Sequence, residues 1–297
     1  MDIKELLSLY KTEIVNSEIE KEVKKITGNI SAIYTVKTLK TIFGLIDLTT
    51  LNNTDTPETA KQFAENVNNF KTHFPDMPNV AAICVYPTLV EYVKTNLNTP
   101  GVKITSAAGG FPSSQTFIDL KIEEVKRAVE KGADEIDTVI SAGTLLSGDF
   151  QTVYEEIKAI KTVCADKYLK VILESGSLEN LNNVKIASIL AIEAGADFLK
   201  TSTEKTIPAS TLEATFVMSL VIKEYFERTG KKIGIKPAGC IADSETALKY
   251  FLLIKNVLGD DWITPEYFRI GTNKLPNKLL NDISKMSSER KEEIIYF

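Results

Sequence analysis

The chain has 297 residues, 43% of them hydrophobic and 25% charged, which excludes the low-hydrophobicity profile of a disordered segment. Its net charge of -5 comes from interspersed acids and bases, without the basic surplus of a nucleic-acid binder. Cys84, Cys164 and Cys240 form no CxxC pair, so neither a disulfide framework nor a zinc site is indicated, and no apolar run reaches the roughly 18 residues of a membrane span.

Residues 1–43 read as a helical extension, with Ile3, Leu6, Leu7, Tyr10, Ile14, Ile19 and Val23 spaced among Lys and Glu. Its charged opening, Met1 to Glu5, is unlike a signal peptide, so the cytoplasm is the expected compartment. Two uses are open to this extension: covering the bottom of the fold, or packing against a second copy as a homodimer. From residue 44 the rhythm changes, and short β-rich runs alternate with longer amphipathic ones. Strands are expected at 45–48, 80–85, 102–107, 134–140, 168–174, 197–201, 232–236 and 267–271. Pro57 to Phe70 carries Ala60, Phe63, Ala64, Val67 and Phe70 on one helical face, and Pro57 suits a first turn. Residues 114–131 carry a stripe of Ile118, Ile122, Val125 and Val129, with Gly132 as the stop. His73, the single histidine, is expected in a surface loop, which leaves a catalytic triad or multi-histidine metal site without its centre.

Eight strands separated by helices imply parallel pairing, since each strand needs a crossover to reach the next. The expected fold class is therefore α/β: a (β/α)8 TIM barrel over residues 44–286, with the helical extension before it and a tail at 287–297. A doubly wound open sheet is the alternative, but no strand is followed by GxGxxG. The tail is polar from Ser287 to Glu293 yet closes on Ile294, Ile295, Tyr296 and Phe297. It either packs on the barrel wall or folds over the site and offers the Tyr296 hydroxyl as a proton donor.

In such a barrel the chemistry sits at the C-terminal strand ends. Those ends are unusually polar here: Asp47 and Thr49 on the first, Glu135 to Thr138 on the fourth, Lys200 to Ser202 on the sixth, Lys236 on the seventh. Neighbouring strands lie about 4.8 Å apart, so Lys200 and Lys236 would sit close if both point inward. Two desolvated cations make each other harder to protonate. A free lysine amine, with a pKa near 10.4, is almost wholly protonated at neutral pH; a drop of about three units corresponds to roughly 4 kcal/mol and makes it a usable nucleophile. Such an amine adds to a carbonyl, loses water and leaves a protonated imine, which lets the adjacent C–C bond break or form. Asp137 is the best-placed carboxylate to move the protons. Spacing does not say which lysine is the nucleophile. A phosphosugar isomerase using Asp47, Asp137 and Glu174, and a non-catalytic sugar or aldehyde sensor, are the competing classes.

At these residues the sequence resembles deoxyribose-phosphate aldolase, a class I aldolase family. The matching segments are Ile46–Asn52 (IDLTTLN), Ala81–Pro87 (AAICVYP), Gly132–Asp137 (GADEID), Ala196–Thr203 (ADFLKTST), Ile235–Gly239 (IKPAG) and Phe268–Gly271 (FRIG), in family order across about 230 residues. The resemblance implies a cofactor-free, metal-free barrel that reversibly cleaves 2-deoxy-D-ribose 5-phosphate to acetaldehyde and D-glyceraldehyde 3-phosphate. It implies Lys200 as the Schiff-base lysine, Lys236 as the lysine that tunes it, and Asp137 as the proton shuttle. Asp47, Thr49 and Cys84 then line the substrate pocket, Cys84 as a small buried apolar residue.

The same resemblance places the phosphate pocket in three loops, here containing Thr203, Lys205, Gly239, Cys240, Gly271, Asn273 and Lys274. Each loop departs from the family pattern. Glu204 stands for the glycine of TSTG, Cys240 for the second glycine of PAGG, and Gly271–Lys274 (GTNK) for GASS. A carboxylate at position 204 is expected to repel phosphate unless it turns away or pairs with Lys205 or Lys274. Relaxed phosphate recognition, with activity on unphosphorylated 2-deoxy sugars or aldehydes, is the alternative substrate reading.

Overall fold

The computed structural model describes residues 3–287 and 292–297; the parts of the N-terminal and tail expectations that rest on Met1, Asp2 and 288–291 lie outside the described residues. Eight strands form: β1 Ile46–Thr49, β2 Ala82–Val85, β3 Lys103–Ala107, β4 Glu135–Val139, β5 Tyr168–Ile172, β6 Phe198–Lys200, β7 Gly234–Lys236 and β8 Ile270–Thr272. Each overlaps an expected run. β8 starts later than predicted, because residues 264–268 form a turn in which the Tyr267 and Phe268 N–H groups donate to the Thr264 carbonyl.

Every paired neighbour is parallel, in the order β7-β6-β5-β4-β3-β2-β1-β8. The ring closes where Ile235 N–H donates to Tyr267 and Arg269 N–H to Ile235, which rules out the open sheet. The fold is a (β/α)8 barrel.

The helices are α1 Ile3–Ser8, α2 Asn16–Thr27, α3 Val36–Gly44, α4 Pro57–His73, α5 Val90–Asn96, α6 Ile118–Glu130, α7 Ala142–Leu146, α8 Phe150–Cys164, α9 Leu181–Glu193, α10 Leu212–Thr229, α11 Ser244–Leu258 and α12 Leu275–Met286. None is long and apolar enough to cross a membrane. Side-chain caps start several of them, including a Thr56–Thr59 capping box at α4 and Asp243 at α11. α4 buries Ala60, Ala64, Val67 and Phe70 as expected, with Phe63 half-buried beside them. It runs on to His73, so the histidine sits in an exposed last helical turn and not in a loop. In α6 the predicted Ile118, Val125 and Val129 pack on the core, and the buried face is wider than predicted. Lys121, Val125 and Ala128 are buried, because the Lys121 ammonium finds Ser141 at 2.9 Å and Glu156 at 3.1 Å. A satisfied charge can take an inner position that hydrophobic counting cannot assign.

The N-terminal extension is helical, in α1, α2 and α3. It breaks at residues 9–15, where the Tyr10 hydroxyl donates to Glu193 at 2.8 Å and Lys185 donates to the Thr12 carbonyl at 2.6 Å. Those contacts lay residues 3–27 along the flank formed by α9, α10 and α11. The barrel bottom instead opens on a cavity of about 690 Å³, rimmed by Lys40, Lys103, Tyr168 and Arg269 among others.

The C-terminal residues pack on the wall. The Tyr296 ring lies 5.5 Å from Phe70 and 5.4 Å from Phe74, and its hydroxyl donates to the Asn66 carbonyl at 2.8 Å. It offers no proton to the strand ends in this arrangement. Tyr296→Phe is expected to lower stability by about 1 kcal/mol through that one hydrogen bond and to leave kcat within about twofold. Denaturant melts and steady-state assays check both halves.

Candidate active site

Alternation along the strands sorts two layers. Ile46, Leu48, Ile83, Val85, Ile136, Leu169, Val171, Leu199, Ile235 and Ile270 belong to the apolar core between strands and helices. The opposite parity fills the barrel interior, and much of it is charged. Asp47, Glu135, Asp137, Lys170, Lys200, Lys236 and Arg269 are all buried there.

Lys200 and Lys236 are register partners on β6 and β7, each 0% exposed, as the strand-end spacing predicts. Both donate to the same Asp137 Oδ2, Lys200 at 2.9 Å and Lys236 at 2.8 Å. Lys236 also reaches Asp47 Oδ2 at 2.5 Å. The pair is therefore not two cations left to repel each other: carboxylates stand between them. Burial alone would lower the Lys236 pKa, but the charges of Asp137 and Asp47 outweigh it and raise it. Burial would raise Asp137, yet the charges of Lys170, Lys200 and Lys236 hold it well below the usual carboxylate range.

Three members of this cluster are absent from the sequence-based site. Lys170 on β5 donates to Asp137 Oδ1 at 2.9 Å and pairs with Glu135 at 2.6 Å; burial lowers its pKa, but Asp137, Glu135 and Asp47 raise it further. Arg269 grips Glu135 with its guanidinium, at 2.9 Å and 3.3 Å. A signal existed. Lys170 shares the inward parity of its strand, and Glu135 sits two residues before Asp137. Phe198 floors the cluster, its ring 6.0 Å from the Lys170 ammonium and 5.9 Å from the Arg269 guanidinium. Gly234 makes room for that ring, since an added Cβ would come within 2.3 Å of it.

Glu135 makes this lattice acid-sensitive. Burial would raise its pKa, but Lys170 and Arg269 bring it down to about 2. A carboxylate whose folded pKa lies below its unfolded value, near 4.3, contributes stability above that value and loses it as pH falls. Melting temperature is expected to drop between about pH 4.5 and 2, and Glu135→Gln should show a shallower acid limb from a lower neutral plateau.

Of the other predicted residues, Thr49 and Cys84 are paired on β1 and β2, both buried. The Cys84 thiol is pushed up to about 12, mainly by burial, so it is an apolar filler and no nucleophile. Thr203 is buried and donates through both its N–H and hydroxyl to Glu174. That contact makes Glu174 a loop anchor. Lys205 reaches the Leu51 carbonyl instead of Glu204. Gly239 and Cys240 both have positive φ, and Cys240 is exposed. Gly271 is buried, while Asn273 and Lys274 are exposed. Lys274 lines a groove with α12 and residues 292–295, so it is not brought together with Glu204.

Residues 41–252 match the DeoC/LacD family aldolases. A human deoxyribose-phosphate aldolase is 38% identical over 255 residues, covering 81% of this chain and 77% of that one. A bovine deoxyribose-phosphate aldolase is 38% identical over 245 residues, covering 77% and 76%. The fold matches the tetrameric deoxyribose phosphate aldolase of Aeropyrum pernix with a TM-score of 0.64 at 21% identity, over 93% of this chain and 99% of that one. With a (β/α)8 barrel, a charged interior and this extent of identity, the chain belongs to the DeoC/LacD aldolase family.

Proposed function

We propose that the chain is a lysine-imine aldolase that cleaves 2-deoxy-D-ribose 5-phosphate reversibly to acetaldehyde and D-glyceraldehyde 3-phosphate, with Lys200 as the nucleophile. The observation that carries this is a count of ion pairs. Lys170, Lys200, Lys236 and Arg269 are four buried cations; Asp47, Glu135 and Asp137 are the three carboxylates they pair with. Lys200 has one partner oxygen, which it shares with Lys236. The other cations each pair with at least two carboxylates. Lys200 is thus the least-paired of the four cations, the one whose amine the ion pairs commit least to structure.

The free amine adds to C1 of the open-chain sugar, and the carbinolamine loses water to a protonated imine. Loss of the C3 hydroxyl proton then breaks the C2–C3 bond and releases the three-carbon aldehyde, while the electron pair moves onto the imine nitrogen as an enamine. Protonation of C2 and hydrolysis release acetaldehyde. Asp137, held ionised and within hydrogen-bond reach of the nucleophile, accepts and returns these protons; Lys236, held cationic, keeps Asp137 from binding one prematurely.

Treating the protein with acetaldehyde and borohydride is expected to leave an ethyl group on Lys200, located by peptide mass mapping. An unmodified Lys200 under conditions where cleavage proceeds would overturn the assignment. A second substrate reading, unphosphorylated 2-deoxy sugars, is favoured by one observation: a carboxyl stands where the three mouth loops converge.

A further inference from the structure

That carboxyl belongs to Glu204, and the inference drawn from it rests on the aldolase reading and adds the class of substrate tail. Glu204 follows β6 with φ at +68°, a backbone conformation that favours glycine. The turn sends its side chain inward over the barrel. Its Cγ lies 3.4 Å from where a Cβ would stand on Gly239, and its Oε1 lies 3.4 Å from the corresponding point on Gly271. Lys236 Cε is 3.1 Å from that same point on Gly271. The carboxyl is therefore wedged among the loops that follow β6, β7 and β8, beside the catalytic lysines.

It is also unsatisfied. Oε1 is out of solvent and has no hydrogen-bond partner. Lys200 and Lys236 on the strands and Lys205 on its own loop face it as cations, with Asp47 as the facing carboxylate, yet it forms no ion pair within 4.0 Å among the described residues. Lys205 is already committed to the Leu51 carbonyl. Burial raises the carboxyl's pKa. A buried acceptor without a donor is costly, and a bound hydroxyl would satisfy it. With C1 of a five-carbon sugar on Lys200, the far end of the sugar extends toward these mouth loops.

We propose that Glu204 is a specificity-determining residue of this site: it accepts a hydrogen bond from a hydroxyl at the far end of the substrate and disfavours a phosphate there. Unphosphorylated 2-deoxy sugars and hydroxyaldehydes are then the favoured class, and the phosphorylated sugar is cleaved with a raised KM. A phosphate at that position brings two negative charges against a carboxylate that no cation pairs with, and repulsion of this kind is strong out of water.

The test is kcat/KM on 2-deoxyribose and on its 5-phosphate, for wild type, Glu204→Gln and Glu204→Gly. Glutamine keeps the shape and removes the charge; glycine suits the positive φ and keeps folding safe. The ratio of phosphorylated to unphosphorylated kcat/KM is expected to rise at least about tenfold in both variants, through KM, a change of about 1.4 kcal/mol. Inorganic phosphate should also become a stronger competitive inhibitor in both. Ratios within about twofold of wild type overturn the proposal, as does a rise confined to the glycine variant, which would mean bulk and not charge. Acetaldehyde trapping on the wild type separates the two readings, since acetaldehyde has no far end. An adduct on Lys200 with unchanged ratios sinks only the tail assignment, whereas no adduct sinks the aldolase chemistry.

Discussion

Lys200→Met is expected to lower kcat by at least about 10⁴-fold while leaving the melting temperature unchanged or higher. Loss of the nucleophile accounts for the rate. The stability half follows from the ion pairs: Lys200 has a single one, to an oxygen of Asp137 that it shares with Lys236. Removing it leaves Lys170, Lys236 and Arg269 matched with Asp47, Glu135 and Asp137, with an apolar side chain of similar length in its place. Lys236→Met makes the contrast. It takes away the cation that bridges Asp47 and Asp137 and leaves Asp47 facing Lys170 at 3.8 Å and Arg269 at 4.0 Å. That variant is expected to melt several degrees lower. Calorimetry on the two variants beside single-turnover cleavage checks the pair of claims. A larger loss of stability from Lys200→Met than from Lys236→Met would show that Lys200 is a structural cation.

The barrel was legible because its signals are local. Strand runs bounded by amphipathic segments recur eight times, and each observed strand overlaps its expected run. What failed was whatever depended on a distant partner. The N-terminal extension is helical as read, but its break has no local mark, because Glu193, Glu224 and Lys185, some 170 to 210 positions away, hold residues 10–12. In α6 the stripe of Ile118, Val125 and Val129 packs on the core, but buried Lys121 could not be foreseen, since Glu156 lies on another helix. Of the two uses read for Tyr296 the wall packing holds, and its partners, Asn66 and Phe70 on α4 and Phe74 just beyond it, decide it.

At the site, position at the strand ends is enough to bring Lys200, Lys236 and Asp137 together. Parity does not give the third dimension. Lys170 and Arg269 reach the cluster from β5 and from the segment before β8, and neither the parity of Lys170 nor the FRIG segment around Arg269 names Glu135 and Asp137 as partners. The expected mechanism of cation beside cation was therefore incomplete: it lacked the carboxylates that hold Lys236 charged. The mouth loops were harder still, because Lys205 and Lys274 look like natural partners for Glu204 in sequence, and the fold sends both elsewhere.

Asp137→Asn tests the lattice from its centre. This carboxylate takes hydrogen bonds from Lys170 on one oxygen and from Lys200 and Lys236 on the other, all within 2.9 Å and all out of solvent. Asparagine keeps the shape but takes a charged partner from three ammonium groups and leaves Lys200 with none, so a loss of roughly 3–5 kcal/mol is expected, on the order of 10 °C in melting temperature. Cleavage should fall by about 10²–10⁴-fold, the range for loss of a general acid–base. The decisive measurement is the double variant. With Lys200→Met added, the one cation left unpaired is gone, so Asp137→Asn should cost less in that background by at least about 1 kcal/mol. Strict additivity in the denaturant melts would mean that Lys200 and Asp137 do not share charge in the folded protein. The proton economy proposed for the nucleophile would then have no physical basis.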